Sequence, residues 1–264
     1  MVPTKTPMLE LPWHKTAEII LKLHRFLLLV GDMATGKTTF ALNKARLATG
    51  REPAVLPCSP ETERTDVWGM HAMAGNKTVF TPGALTRALK NGSWLVAEEF
   101  GLAPLETRAT LLSLRGQDCV TCPMTGEVLQ IPDGFRFIAT SNPENMSCKR
   151  NVGIARALYD DFQILEVPPL PTPLVRRLLA NKFPNVAEER IDHVIELWDD
   201  YRQISTRKSE DSGGSYLTFR AAAHLCGLLE EGLDENQAVR VALVGKFLPD
   251  DDLHTAAVLK CDLG

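Results

Sequence analysis

Phe26-Leu27-Leu28-Leu29-Val30-Gly31-Asp32-Met33-Ala34-Thr35-Gly36-Lys37-Thr38-Thr39 is the stretch on which the reading of this chain turns. Its first five residues are a continuous apolar run, the pattern of a buried strand. Gly31 to Thr38 have the spacing G-x-x-x-x-G-K-T. From Thr39 an Ala/Leu-rich helical pattern runs to Ala48 and closes at Gly50. A strand, a glycine loop and a helix start make the geometry that cradles the phosphates of a nucleotide. The two glycines let the backbone turn its N–H groups toward an anion, and the helix N-terminus adds partial positive charge. In such a loop the Lys37 ammonium reaches the β- and γ-phosphates, and the Thr38 hydroxyl is a ligand for Mg²⁺. An ordinary glycine turn is the simpler alternative; the strand on one side and the helix on the other argue against it.

Outward from the loop, 264 residues with 44% hydrophobic and 23% charged side chains suit one large α/β domain, alone or with a small companion. A net charge of −4 provides no global basic field, so nucleic acid is not indicated. The most apolar region, Ile19 to Val30, is broken by Lys22, His24 and Arg25 and falls short of the roughly 20 residues a membrane span needs. No signal peptide is evident, and six scattered cysteines suggest reduced thiols and a cytoplasmic protein. Cys119-Val-Thr-Cys122 is a lone C-x-x-C in an expected strand, where the two thiols face opposite sides; this weakens a zinc or redox reading.

Residues 1–13 read as an irregular lead-in and Thr16 to His24 as a short helix. Strands are expected at 26–30, 54–56, 94–100, 135–140 and 164–167, with hairpins within 64–83 and 120–131. The run Pro168-Pro169-Leu170-Pro171-Thr172-Pro173 marks a boundary, since proline interrupts both helix and central strand. Beyond it five helical patterns follow, at 173–181, 186–207, 218–231, 234–247 and 251–260. The expected organisation is an α/β nucleotide-binding domain over 1–168 and an all-helical domain over 172–264.

A nucleotide triphosphatase also needs a carboxylate near Mg²⁺, a base for the attacking water and positive charge toward the γ-phosphate. Trp94-Leu95-Val96-Ala97-Glu98-Glu99-Phe100 is an apolar strand ending in two carboxylates, at the strand edge where open parallel sheets bind ligands. Asn142, at the end of another strand, offers a neutral amide to orient water between the γ-phosphate and Glu99.

Together these motifs resemble the AAA+ ATPases, and within them the MoxR-like and midasin-like group. The resemblance rests on GDMATGKT (31–38), LVAEEF (95–100), the Asn142 strand, LTFRAA (217–222) and FTPGALTRALKNGSWLVAEEFGLAPLETRATLL (80–112). It implies a P-loop NTPase fold, a parallel-sheet sandwich followed by a small helical lid. It implies Gly31, Asp32, Met33, Ala34, Thr35, Gly36, Lys37, Thr38 and Thr39 around the nucleotide, Thr38 and Glu98 at Mg²⁺, and Glu99 as catalytic glutamate. Asn142 becomes sensor 1, and Arg220 becomes sensor 2 on the lid. The two hairpins match the clade's helix-2 insert and pre-sensor-1 hairpin. The resemblance further implies ATP as substrate, a ring that is usually a hexamer, and a protein client carrying a von Willebrand A domain.

Two departures stand out. Glu98 occupies a position where relatives usually have aspartate; one methylene longer, it can still accept Mg²⁺-bound water. Relatives also place an arginine finger just before the phenylalanine of an A-L-x-x-R-F segment, and here Asp161 precedes Phe162. Arg156, or Arg150 of the Lys149-Arg150 pair, is then the expected trans cation; otherwise that cation is missing. A finger is worth on the order of 10³–10⁵ in rate. The alternatives are therefore a nucleotide-gated assembly module with little turnover, a GTPase or chelatase-type motor subunit of the same fold, or a small-molecule P-loop kinase.

Overall fold

The expected apolar runs become one five-stranded parallel sheet. The computed structural model describes residues 10–146, 162–208 and 218–243. Strands β1 (Phe26–Val30), β2 (Ala54–Pro57), β5 (Leu95–Glu98), β8 (Phe137–Ser141) and β9 (Gln163–Glu166) pair in the order β2-β5-β8-β1-β9. Every ladder is parallel, with Leu28 opposite Ala139 in one and Ala97 opposite Ala139 in the next. Such sheets are covered on both faces, which is why β1 is Leu-rich throughout instead of alternating. Leu27, Leu28 and Leu29 are fully buried.

Helices α1 (Pro12–Leu23), α2 (Lys37–Thr49), α3 (Arg64–Trp68), α4 (Ala84–Asn91), α5 (Leu105–Leu112) and the single turn α6 (Pro143–Met146) complete this unit. Packing joins α2 to β5 and β8, α4 to β2 and α1 to β1. A cluster of edge-on and tilted rings, Phe26, Phe100, Phe137 and Phe162, with centroids 5.4–5.8 Å apart, ties β1, β8 and the residue after Glu99 together.

Two antiparallel hairpins depart from the sheet. β3 (Gly69–Ala74) and β4 (Lys77–Pro82) join through the two-residue turn Gly75-Asn76. The second is β6 (Cys119–Thr121) with β7 (Val128–Gln130). Cys122 lies past the end of β6, in the turn, where its N–H donates to Glu127 O and its carbonyl accepts from Gly126 N. The C-x-x-C therefore does not sit in one strand. α1 also begins four residues before the expected Thr16, because proline at the first helical position lacks only an N–H that the helix would not use.

The chain divides into two compact units, one of Met1–Asp32 and Gly36–Pro168, the other of Met33–Thr35 and Pro169–Gly264. The helices described in the second are α7 (Thr172–Lys182), α8 (Glu188–Lys208), α9 (Phe219–Glu230) and α10 (Glu235–Ala242). Asp234 caps α10 by accepting from Gln237 N at 3.2 Å. The helix expected at 251–260 lies outside the described residues.

Leu28, at the centre of β1 and in the principal core cluster, tests the sheet. Leu28→Ala should lower the unfolding free energy by about 2–5 kcal/mol in urea titrations.

Candidate functional site: a phosphate loop and two carboxylates on one sheet edge

β5, β8 and β1 are neighbours, so their C-terminal ends bring Glu98, Asn142 and the loop after Val30 to one edge. Gly31 N donates to Ser141 O at 3.2 Å and continues the ladder one step beyond β1. The loop then turns through two left-handed residues, Ala34 at φ 62° and Gly36 at φ 93°. Glycine occupies that conformation without steric cost. The first bond closing α2 runs from Phe40 N to Gly36 O at 2.9 Å. Helix geometry leaves the N–H groups of Lys37, Thr38 and Thr39 directed at the loop, as anion binding requires.

Lys37 is only 6% exposed, and its ammonium is held by oxygen. Nζ donates to Gly31 O at 2.6 Å, Asp32 O at 2.7 Å and Asn142 Oδ1 at 3.3 Å. Buried charge demands such partners. The P-loop lysine and the asparagine expected to serve as sensor 1, 105 residues apart in sequence, are thus in direct contact.

Glu99 leaves β5 in the left-handed region at φ 51°, ψ 44°. For a non-glycine residue this costs about 1–3 kcal/mol and persists only where the surroundings impose it. Three features impose it here. Phe100, next in sequence, is buried among the phenylalanine cluster. Glu99 N donates to Thr140 Oγ1 at 3.3 Å, and Glu99 Oε2 accepts from Asn145 Nδ2 at 3.2 Å. Thr140 and Asn145 escaped the sequence reading: one looks like a strand threonine, the other like a helix asparagine, and only the β5–β8 pairing sets them against Glu99.

Glu98 ends β5, and its carbonyl accepts from Cys58 N at 2.9 Å. The Cys58 thiol is pushed up to about 12, first by burial and then by the Glu98 and Glu99 charges, with the buried Arg108 guanidinium opposing. Arg108, on α5, is a further charged residue of this region that the sequence reading passed over.

Thr38 hydroxyl and Glu98 carboxylate are hard oxygen donors suited to Mg²⁺. Among the described residues no group of three or more His, Cys, Asp or Glu could hold a metal. Arg220 is exposed in the first turn of α9, in the second unit. Arg156, Arg150 and Asp161 lie outside the described residues.

The sequence profile of the AAA domain (dynein-related subfamily) matches residues 26–162. The chain belongs to this AAA family. The AAA domain accounts for the nucleotide-binding loop and the sheet order around it. The uncharacterized protein YojN of Bacillus subtilis is 28% identical over 92% of this chain and 78% of its own length. The uncharacterized protein SAUSA300_1302 of Staphylococcus aureus is 25% identical over 92% of this chain and 91% of its own. The crystal structure of NtrX from Brucella abortus in complex with ADP superimposes with a TM-score of 0.57 at 14% identity. That match covers 98% of this chain and 60% of NtrX, and it supports the AAA+ fold. Among the described residues no helix is long and apolar enough to cross a membrane.

Two outcomes follow from this geometry. Lys37→Ala should weaken binding of a fluorescent ATP analogue with Mg²⁺ by more than tenfold, read by anisotropy, because a charge-assisted contact to phosphate is lost. Cys58 should resist alkylation in the native protein near pH 8, where exposed Cys119 reacts, as resolved by peptide mass spectrometry.

Proposed function

We propose that this protein is an ATP-hydrolysing remodelling subunit of the MoxR-like type, working in the cytoplasm as part of a ring, expected to be a hexamer. The observation that carries the reading is the Lys37–Asn142 contact at the sheet edge where Glu99 follows the adjoining strand β5. It groups a phosphate cation, a water-orienting amide and a general base on one edge. The nucleotide's phosphates rest on the N–H groups opening α2, with Lys37 on the β/γ oxygens. Thr38 and Glu98 would hold Mg²⁺, which would supply charge neutralisation for the phosphates.

Hydrolysis is in-line displacement. Water oxygen bonds to the γ-phosphorus while Glu99 accepts the water proton. The bond from γ-phosphorus to the β–γ bridging oxygen breaks, and its electron pair stays with ADP. Inorganic phosphate leaves, and Glu99 returns its proton to solvent. Asn142 orients the water, Arg220 takes the sensor 2 role that the resemblance implies, and Arg156 of a neighbouring copy stabilises the transition state.

The hairpins supply the client surface. Met70, Met73 and Val79 on the first and Val128 on the second are exposed, and His71 Nε2 lies 3.1 Å from Met124 O, joining the two. A protein with a von Willebrand A domain is the expected client.

Glu99→Gln separates this reading from that of an assembly module. In single-turnover ATP hydrolysis with Mg²⁺, the wild type should exceed Glu99→Gln by on the order of 10²–10⁴, the usual contribution of a general base. Equal, negligible rates with intact nucleotide binding would instead identify a nucleotide-gated module, in keeping with Asp161 at the finger position.

A further inference from the structure

Asn142 and Asn145 share one turn. Pro143 opens α6, and Asn145 N donates to Asn142 O at 3.1 Å, closing the turn. One asparagine faces the phosphate cation: Asn142 Oδ1 accepts from Lys37 Nζ at 3.3 Å. The other faces the general base: Asn145 Nδ2 donates to Glu99 Oε2 at 3.2 Å. The turn is pressed onto the backbone just past Glu99. A Cβ placed on Gly101 would lie 2.6 Å from Ser141 Oγ and 2.8 Å from Asn145 O, so a side chain there would drive the turn away.

A glutamate has three rotatable bonds, and fixing them costs roughly 1.5–2 kcal/mol of side-chain entropy. Thr140 fixes the Glu99 backbone but leaves its carboxylate free to swing. The Asn145 amide removes that freedom.

We infer that Asn145 is a positioning residue for hydrolysis, acting through Glu99 and taking no part in nucleotide binding. The inference rests on the hydrolytic reading above. One backbone hydrogen bond, from Asn145 N to Asn142 O, links the residue facing the lysine to the residue facing the glutamate.

The test is steady-state ATP hydrolysis with Mg²⁺, alongside ATP affinity and thermal melting. Asn145→Ala should lower kcat on the order of 10–100-fold, the scale of loss for a misplaced catalytic group. KM, ATP affinity and Tm should stay near wild-type values. Asn145→Gln, which keeps the amide donor on a longer arm, should recover part of the lost kcat. In a Glu99→Gln background, Asn145→Ala should change the residual rate less than twofold, as expected for residues acting as one unit. An Asn145→Ala protein with wild-type kcat would overturn the inference. So would a parallel loss of ATP affinity, or an undiminished effect in the Glu99→Gln background. If wild type and Glu99→Gln hydrolyse equally, the hydrolytic reading fails and carries this inference with it; if only Asn145→Ala matches wild type, the inference alone falls.

Discussion

A buried ammonium must be surrounded by oxygen, and the Lys37 side chain organises this protein by meeting that demand from two directions. Two acceptors are carbonyls of its own loop, at Gly31 and Asp32, which curl the chain around the charge. The third is the Asn142 side chain at the end of β8. Since β8 lies between β1 and β5, the same contact fixes the loop relative to the carboxylate strand. A single charge thereby ties the loop after β1 to the end of β8 before any ligand arrives.

The opposite side of the site depends on packing rather than charge. Glu99 is held in a strained left-handed conformation because the next residue, Phe100, belongs to the phenylalanine cluster at the heart of the sheet. Releasing Glu99 would mean withdrawing that ring, and burying a phenylalanine is worth about 1.5–3 kcal/mol, comparable with the strain. The core and the Glu99 backbone are one structure. Cys58 registers the result: low polarity and the two glutamate charges keep its thiol protonated.

Away from this edge the chain is more permissive. The hairpins carry exposed methionines and valines on short two-stranded ribbons, outside the main sheet. Methionine's flexible, polarizable side chain suits adaptable contact surfaces. The second unit has its own helical core, and Arg176 of α7 pairs with Asp192 and Glu188 of α8 across its surface.

Much of this was legible in the sequence, for reasons tied to particular residues. The central strands β1, β5 and β8 were visible because strands buried on both faces read as unbroken apolar runs, Leu27-Leu28-Leu29 most clearly; β9, largely exposed, is read only from its short Ile-Leu core. Lys37, Thr38, Glu98, Glu99 and Asn142 stood out as candidates because phosphate-transfer chemistry would ask for such side chains at a glycine loop and at strand ends, and the sheet order brings the loop, Glu98 and Asn142 to one edge. The start of α1 was misjudged, since a proline reads equally well as a loop residue or as the first residue of a helix. Thr140, Asn145 and Gly101 could not be found that way. Their roles exist only through contacts across paired strands and a tight turn, and nothing in a local window distinguishes them from other threonines, asparagines and glycines. Sequence alone determined the fuel-binding loop and the carboxylates, because local geometry and chemistry specify both. Tertiary structure alone decided how Glu99 is aimed, because that depends on the register of β5 against β8 and on a turn packed closely enough to exclude a methyl group.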